Sequence, residues 1–390
     1  MSQAASNPFA FGSPVSGEYF DDRTDETRFL VRRMTYHQNV VILSPRRYGK
    51  TSLLLRATEQ ARTQQRARVA LVSLLRCSNR HEVAEEVTRA VVDGGLGWLA
   101  GTTEQVIEKM RQIPRAIPSL ERDGWKINLA ITGSEDFLAD IRQPIELLAD
   151  SARDGQPVCL ILDEFQQVAE IDEHLAAFFK TVCDDLPRVS IIFAGSRRHM
   201  MERLFSGTGA ALKNAAETLS LEVIPPKDMV PFLIERMKVC DRELTEPSAH
   251  LIYRLMRGIP HFVQMLGVAV YDQDQSISDE DTVRQAVAEV LTRQRADLAS
   301  RYESLTLNQR KLVRLLAKGP VRDLFSQQSL MRASLAKASA ARSRDILAES
   351  EYIEFDGATG WRVSDPLLEL WLRHGLELDL GSVIDPASIT

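Results

Sequence analysis

Val40-Val41-Ile42-Leu43-Ser44-Pro45-Arg46-Arg47-Tyr48-Gly49-Lys50-Thr51 is the stretch that decides how the rest of the chain is read. Four apolar residues in a row fit a short strand buried on both faces of a parallel sheet. The next eight match the phosphate-loop pattern GxxxxGK[ST] at seven positions, with Ser44 in place of the first glycine. That spacing has a chemical reason. Successive backbone N–H groups must curl around the β- and γ-phosphates of a nucleotide, and Gly49 permits the close approach. Lys50 supplies positive charge, the Thr51 hydroxyl is a Mg²⁺ ligand, and the helix opening at Lys50 aims its positive end at the anion. Ser44, Pro45, Arg46, Arg47, Tyr48 and Ser52 complete the candidate cradle. A serine is less free than glycine to take the tight turn.

A second apolar run, Val158-Cys159-Leu160-Ile161-Leu162, ends in Asp163-Glu164, about 110 residues after Lys50. A strand ending in two acids after a phosphate loop is the Walker B pattern. Asp163 is then a second Mg²⁺ ligand, directly or through water, and Glu164 the residue that polarises an attacking water. A further apolar run, Ser190-Ile191-Ile192-Phe193-Ala194-Gly195, leads into Ser196, a candidate sensor of the γ-phosphate. Arg197 and Arg198 are open to three readings: phosphate, a neighbouring subunit or solvent.

Apolar runs at 69–72 and 219–224 complete five expected strands. Helical spacing fills 23–37, 50–64 and most of 80–152, with a small hairpin near Arg122-Asp123-Gly124-Trp125. Strands alternating with helices indicate an α/β core with a parallel sheet. After Pro225-Pro226 the pattern changes to three or four amphipathic helices and no strand, up to residue 300. The segment 305–375 changes again, to helices followed by a short β pair.

The 390 residues carry 44% hydrophobic and 26% charged side chains, ordinary for a globular protein of two or three domains. No uncharged apolar run is long enough to cross a bilayer, and the N-terminus lacks the pattern of a signal peptide, so a cytoplasmic protein without membrane partners is expected. Cys77, Cys159, Cys183 and Cys240 form no CxxC pair, and the seven histidines show no HExxH spacing. The net charge of -6 argues against a coat for nucleic acid. It is an average over unlike parts: residues 305–350 hold nine Lys/Arg and three Asp/Glu, a net +6.

Taken in order, Asn7-Pro8-Phe9, Pro14-Val15, Gly17 and Arg23-x-x-Glu26 precede the phosphate loop. Leu162-Asp163-Glu164-Phe165-Gln166, Ala194-Gly195-Ser196, Gly258-Ile259-Pro260-His261-Phe262, Leu305-Thr306-Leu307-Asn308-Gln309 and Asp365-Pro366-Leu367 follow it. This ordered set resembles the archaeal-type ATPases, also found in bacteria, near the STAND branch of the AAA+ superfamily. The resemblance spans nearly the whole chain. It implies an N-terminal arm (1–22) near adenine through Phe9, Pro14 and Val15, and a P-loop ATPase core (23–226). It further implies a helical lid (227–300), a winged helix (301–375) and a tail (376–390). In such ATPases Gly258 and Pro260 approach the nucleotide as a GxP motif; read from the residues alone, Gly-x-Pro is also a plain helix stop and restart. Arg257 is a weak candidate for a second sensor.

In the C-terminal module, Thr306 and Ser326 are expected helix caps and 336–349 a third helix, before a β pair at Tyr352–Phe355 and Trp361–Val363. Lys337, Arg342 and Arg344 are the candidate contacts to double-stranded DNA. The module could equally pack on the ATPase and bind none; its wing is short and acidic, and no aromatic residues interleave with basic ones along the sequence. Trp361 and Trp371 are expected in the core. The functional expectation is a switch that binds and hydrolyses ATP with Mg²⁺. The alternatives are a nucleotide-gated DNA-binding regulator, and a scaffold that associates with itself or a partner protein on ATP.

Overall fold

The computed structural model describes residues 7–15, 17–19, 23–96, 116–121, 124–129, 137–152 and 155–374. The expected tail at 376–390 and the hairpin turn at Arg122-Asp123 lie outside them. The chain divides into two compact units: Arg23–Glu222, and Val223–Thr390 together with Met1–Asp22.

In the first unit, helix α1 (Thr24–Thr35) precedes β1 (Val40–Leu43), and α2 (Lys50–Thr63) leads to β2 (Arg68–Ser73). A hairpin of β3 (Ala116–Glu121) and β4 (Gly124–Leu129) lies between the helices Arg80–Ala90 and Phe137–Ser151. Then come β5 (Val158–Asp163), β6 (Val189–Gly195) and β7 (Glu217–Ser220). The five strands outside the hairpin form one parallel sheet in the order β2-β5-β6-β1-β7. Every residue of β1, β5 and β6 is buried, which is why these strands read as unbroken apolar runs.

The fifth strand differs from expectation. It occupies 217–220, not 219–224, because its polar, mostly exposed residues pair with β1 at the sheet edge. The apolar residues that suggested a later strand, Leu221 and Ile224, are buried in the irregular chain that follows.

Helices cover the sheet, and an aromatic cluster sits beneath the ends of β5 and β6. Phe165 packs edge-on against Phe193 (4.6 Å) and Phe179 (5.4 Å). Because Phe165 directly follows Glu164, this packing fixes the backbone that presents the acid.

The second unit holds five helices between Pro226 and Glu303, with a two-residue parallel pair of β8 (Glu243–Leu244) and β9 (Ile277–Ser278). Both the fifth helix and the β pair depart from expectation; two residues carry no periodicity that a sequence reading could use. Helices Leu307–Ala317, Gln327–Ala333 and Lys337–Glu349 follow, then antiparallel β10 (Ile353–Asp356) and β11 (Gly360–Val363), then helix Pro366–His374. The caps are where the sequence puts them. Thr306 forms a capping box with Gln309, and Ser326 accepts from the Ser329 amide.

The N-terminal arm docks on helices of this same unit. Phe9 is 3% exposed, edge-on to Phe232, with its ring against Gly267. The Pro8 carbonyl accepts from Arg236, and the Gln264 amide bonds both Ala10 N and Tyr19 O. Phe9→Ala is expected to destabilise this unit by about 3 kcal/mol. A thermal melt should show the loss, and limited proteolysis should cut faster at the exposed residues 11–13.

Candidate functional site

The phosphate loop turns sharply between β1 and α2. Arg47 takes a left-handed backbone (φ 72°), as does Gly49 (φ 84°) at the N-cap of α2. Ser44 is fully buried and is not among the positive-φ residues. The position therefore demands no glycine for its backbone; its hydroxyl donates to the Pro45 carbonyl (3.0 Å). The expected constraint at Ser44 is carried by Arg47 instead. Arg46 and Arg47 are exposed, Tyr48 and Ser52 buried.

The register of the sheet brings the second set of residues alongside. Leu43 pairs with Gly195, and Asp163 with Ala194, so β1, β5 and β6 end at one level with β6 in the middle. Gly195 has no room for a side chain: a Cβ would lie 2.5 Å from Met201 and 2.6 Å from Gln166 Oε1. This level is the carboxyl edge of a parallel sheet, where α/β folds place their ligands.

There Lys50 Nζ donates to Asp163 Oδ1 and to Glu164 Oε1 (2.7 Å). Thr51 Oγ1 donates to Asp163 Oδ2 (3.1 Å). Ser196 Oγ donates to Glu164 Oε2 (2.7 Å), and Gln166 Nε2 donates to the same oxygen (2.5 Å). Lys50 and Asp163 are almost fully buried and Glu164 nearly so. One ammonium thus faces two carboxylates away from water, where an unpaired charge is costly. Burial pushes the Glu164 carboxyl up, but the Lys50 charge and hydrogen bonds from Lys50, Gln166 and Ser196 outweigh it, holding the group below the usual carboxylate range.

Glu164 also carries a left-handed backbone (φ 57°). It is held there by Phe165, whose N–H bonds the Ala194 carbonyl (2.9 Å) and whose ring fills the core below. Such strain at a polar, buried side chain is characteristic of sites where geometry is imposed by function.

Two residues here went unassigned in the sequence. Gln166 is 1% exposed and grips Glu164 beside Ser196. Arg23 is 5% exposed and donates to Tyr48 O (3.3 Å), Glu222 O (2.5 Å) and Glu26 Oε1 (2.8 Å), tying the phosphate loop to the chain after β7. Both sit in the quoted motifs, but the function of a side chain that grips other protein groups has no spacing signature.

Other candidates fall elsewhere. Arg197 pairs with Glu170, and Arg198 with Glu202 (2.9 Å), so each meets an acid of its own surface. Phe9, Pro14, Val15, Gly258 and Pro260 belong to the second unit. Phe9 is a packing anchor there, Pro14 is exposed, and Gly258 (φ 65°) lies under the Tyr253 ring at the start of the helix that Pro260 opens. Arg257 donates to Val363 O (2.8 Å) and Ser364 O (2.7 Å), which joins this turn to the end of β11.

In the C-terminal module Lys337 and Arg342 are exposed, whereas Arg344 is bound to Asp345 (2.9 Å). The Arg344 guanidinium lies over both Phe325 (5.0 Å) and Trp361 (5.8 Å). Folding therefore interleaves aromatic and basic groups that the sequence keeps apart. Trp361 is half-buried, not in the core; Trp371 is buried, edge-on to Tyr302.

All four cysteines are free thiols, and burial pushes Cys159 and Cys183 up to about 12. Among the described residues no group of three or more His, Cys, Asp and Glu could hold a metal ion. Thr51 and Asp163 still suit Mg²⁺: they offer two hard oxygens side by side, and this ion takes one or two protein ligands, with water and phosphate oxygens for the rest. No helix among the described residues is long and apolar enough to cross a membrane.

No protein-family model matches the chain, and no curated protein does. Solved structures do. The Walker-type ATPase of Pyrococcus abyssi is 16% identical with a TM-score of 0.65, over 94% of this chain and 99% of its own. The ORC2 protein of Aeropyrum pernix, solved in ADPNP–ADP complexes, is 13% identical with a TM-score of 0.53, over 90% of this chain and 95% of its own. At these identities the likeness establishes the fold alone: the α/β arrangement with a central parallel sheet that the two structures share with this chain.

The buried charges give a direct prediction. Glu164 titrates lower in the fold than in the unfolded chain, so its stabilisation is present at neutral pH and is lost as pH falls through the folded value. Lys50→Ala leaves two carboxylates facing each other, and reverses the sign for Glu164. Without nucleotide, the variant is expected to lose about 3 kcal/mol at pH 7.5. Its deficit against wild type should shrink at pH 5, as measured by denaturant unfolding.

Proposed function

We propose that the chain binds and hydrolyses ATP and uses the nucleotide state as a switch. The observation that carries this reading is the shared lysine: Lys50, Asp163, Glu164, Thr51 and Ser196 meet at the carboxyl edge of the parallel sheet, on a fold shared with ATPases.

The chemistry follows from what each group can do. Lys50 carries one charge and reaches either the two acids or a phosphate. Turning toward the β- and γ-phosphates removes the cation that masks Asp163 and Glu164. Mg²⁺ at Thr51 and Asp163 would neutralise phosphate charge during transfer. Glu164, still held by Gln166 and Ser196, then accepts a hydrogen bond from the attacking water and takes its proton. The new P–O bond forms as the bond to the β–γ bridging oxygen breaks. Ser196, bonded to Glu164, registers whether the γ-phosphate is present. The switch output is a change in the helical and C-terminal modules that follow residue 222 in the chain. Arg257 links the GxP turn to β11, so the two modules move together.

A second reading, DNA binding by a winged helix at 305–374, is favoured by the net +6 of residues 305–350 and by the exposure of Lys337 and Arg342. It predicts duplex affinity that falls steeply with salt and drops in Arg342→Ala.

For the principal reading, Glu164→Gln keeps the side-chain shape and removes the base. Phosphate release from ATP should fall by about 10²-fold or more, while binding of a slowly hydrolysed analogue stays within a few-fold. Full turnover by this variant would remove Glu164 from the chemistry.

A further inference from the structure

The first unit carries a second cationic site, away from the phosphate loop. The C-terminal halves of α1 and α2 enclose a concavity of about 490 Å³. From α1 it receives Arg28 and Arg32, and from the cap just after the helix Tyr36, the three spaced i, i+4, i+8. From α2 and the residues after it come Gln60, Gln64 and Arg66. Arg33 closes one side. Val31 is the one aliphatic residue in the lining.

These arginines differ from those that hold the fold. Arg62 and Arg68 bond the carbonyls of Val69 (2.7 Å) and Ser151 (2.9 Å). In the concavity, Arg28 and Arg33 meet Asp25 (2.7 Å) and Glu217 (2.8 Å). Arg66 reaches only the neutral Gln64 amide oxygen (3.0 Å), and the Arg32 guanidinium has no partner among the described residues. Among the described residues, two of the four cations, both exposed, therefore face no acid. The last turn of α1 favours positive charge at Arg32 and Arg33. It does not account for Arg28 and Arg66 gathering on the same hollow with two amides.

We propose that this hollow binds a segment of single-stranded nucleic acid. Guanidinium forks match phosphate oxygens. The row from Arg28 to Tyr36 is about 12 Å long, the length of three to four stacked nucleotides at about 3.4 Å each. Tyr36 is 63% exposed at the end of that row, a free ring for one base. Gln60 and Gln64 offer donors and acceptors to bases without adding charge. An acidic peptide would satisfy the arginines but would leave the ring and the amides unused.

The test is a fluorescence-anisotropy titration of labelled (dT)₁₂ with the full chain between about 50 and 200 mM NaCl. Arg32→Gln combined with Arg66→Gln should weaken binding at least tenfold and reduce the log–log salt slope by about 1.4, from about 0.7 per phosphate contact. Tyr36→Ala should weaken binding roughly tenfold and leave the slope unchanged. Both variants should melt like wild type and keep their affinity for ADP, since neither alters the phosphate loop. Three outcomes would overturn the proposal. The Arg32/Arg66 variant could bind as wild type does; the loss could appear instead in Lys337→Gln combined with Arg342→Gln; or polyglutamate could displace the oligonucleotide as well as unlabelled (dT)₁₂ at equal charge.

Discussion

One buried ammonium between two carboxylates is the constraint on which the site depends. Lys50 lies far in sequence from the neighbouring Asp163 and Glu164, and the three can share a hydrogen-bonded cluster only if β1 and β5 end at one level. That in turn needs β6 between them, with Gly195 leaving room for Gln166 and Met201. Without Lys50 the two acids would face each other unpaired in a place largely closed to water, so the site depends on the fold to bring that one cation to them.

The surrounding structure reads as support for that cluster. Phe165 anchors the strained backbone of Glu164 into an aromatic core. Of the two carboxylate oxygens that Lys50 does not take, Thr51 holds that of Asp163, and Ser196 and Gln166 hold that of Glu164. Arg23, with its guanidinium on backbone carbonyls, clamps the phosphate loop from behind. Both oxygens of Glu164 are held by protein groups, and Lys50, whose alternatives are acids or phosphate, is the group with a choice.

Much of this is legible in the sequence, and for a physical reason. Strands buried on both faces read as apolar runs, so β1, β2, β5 and β6 stand out, and the groups at their ends follow from loop chemistry. The edge strand β7 does not stand out, because its exposed polar residues carry no such pattern. The two-residue pair β8–β9 is too short for any period. Caps at Thr306 and Ser326 are legible because capping needs a particular side chain at a particular place. Gln166, Arg23 and the Arg344–Phe325–Trp361 stack are invisible: each depends on which residues folding brings together, which local sequence does not encode. Ser44 looks like a defect in the motif, yet the demanding backbone angle falls at Arg47.

The most direct test of the shared lysine is proton uptake on nucleotide binding, by calorimetry near pH 5 in buffers of differing ionisation enthalpy. A slowly hydrolysed ATP analogue would be titrated into wild type and Glu164→Gln. If Lys50 leaves the acids for phosphate, Glu164 loses the charge that holds it low, and burial raises its affinity for a proton. Wild type should then take up more protons than the variant. Equal uptake by the two proteins would mean that Lys50 does not exchange partners, and would contradict the account.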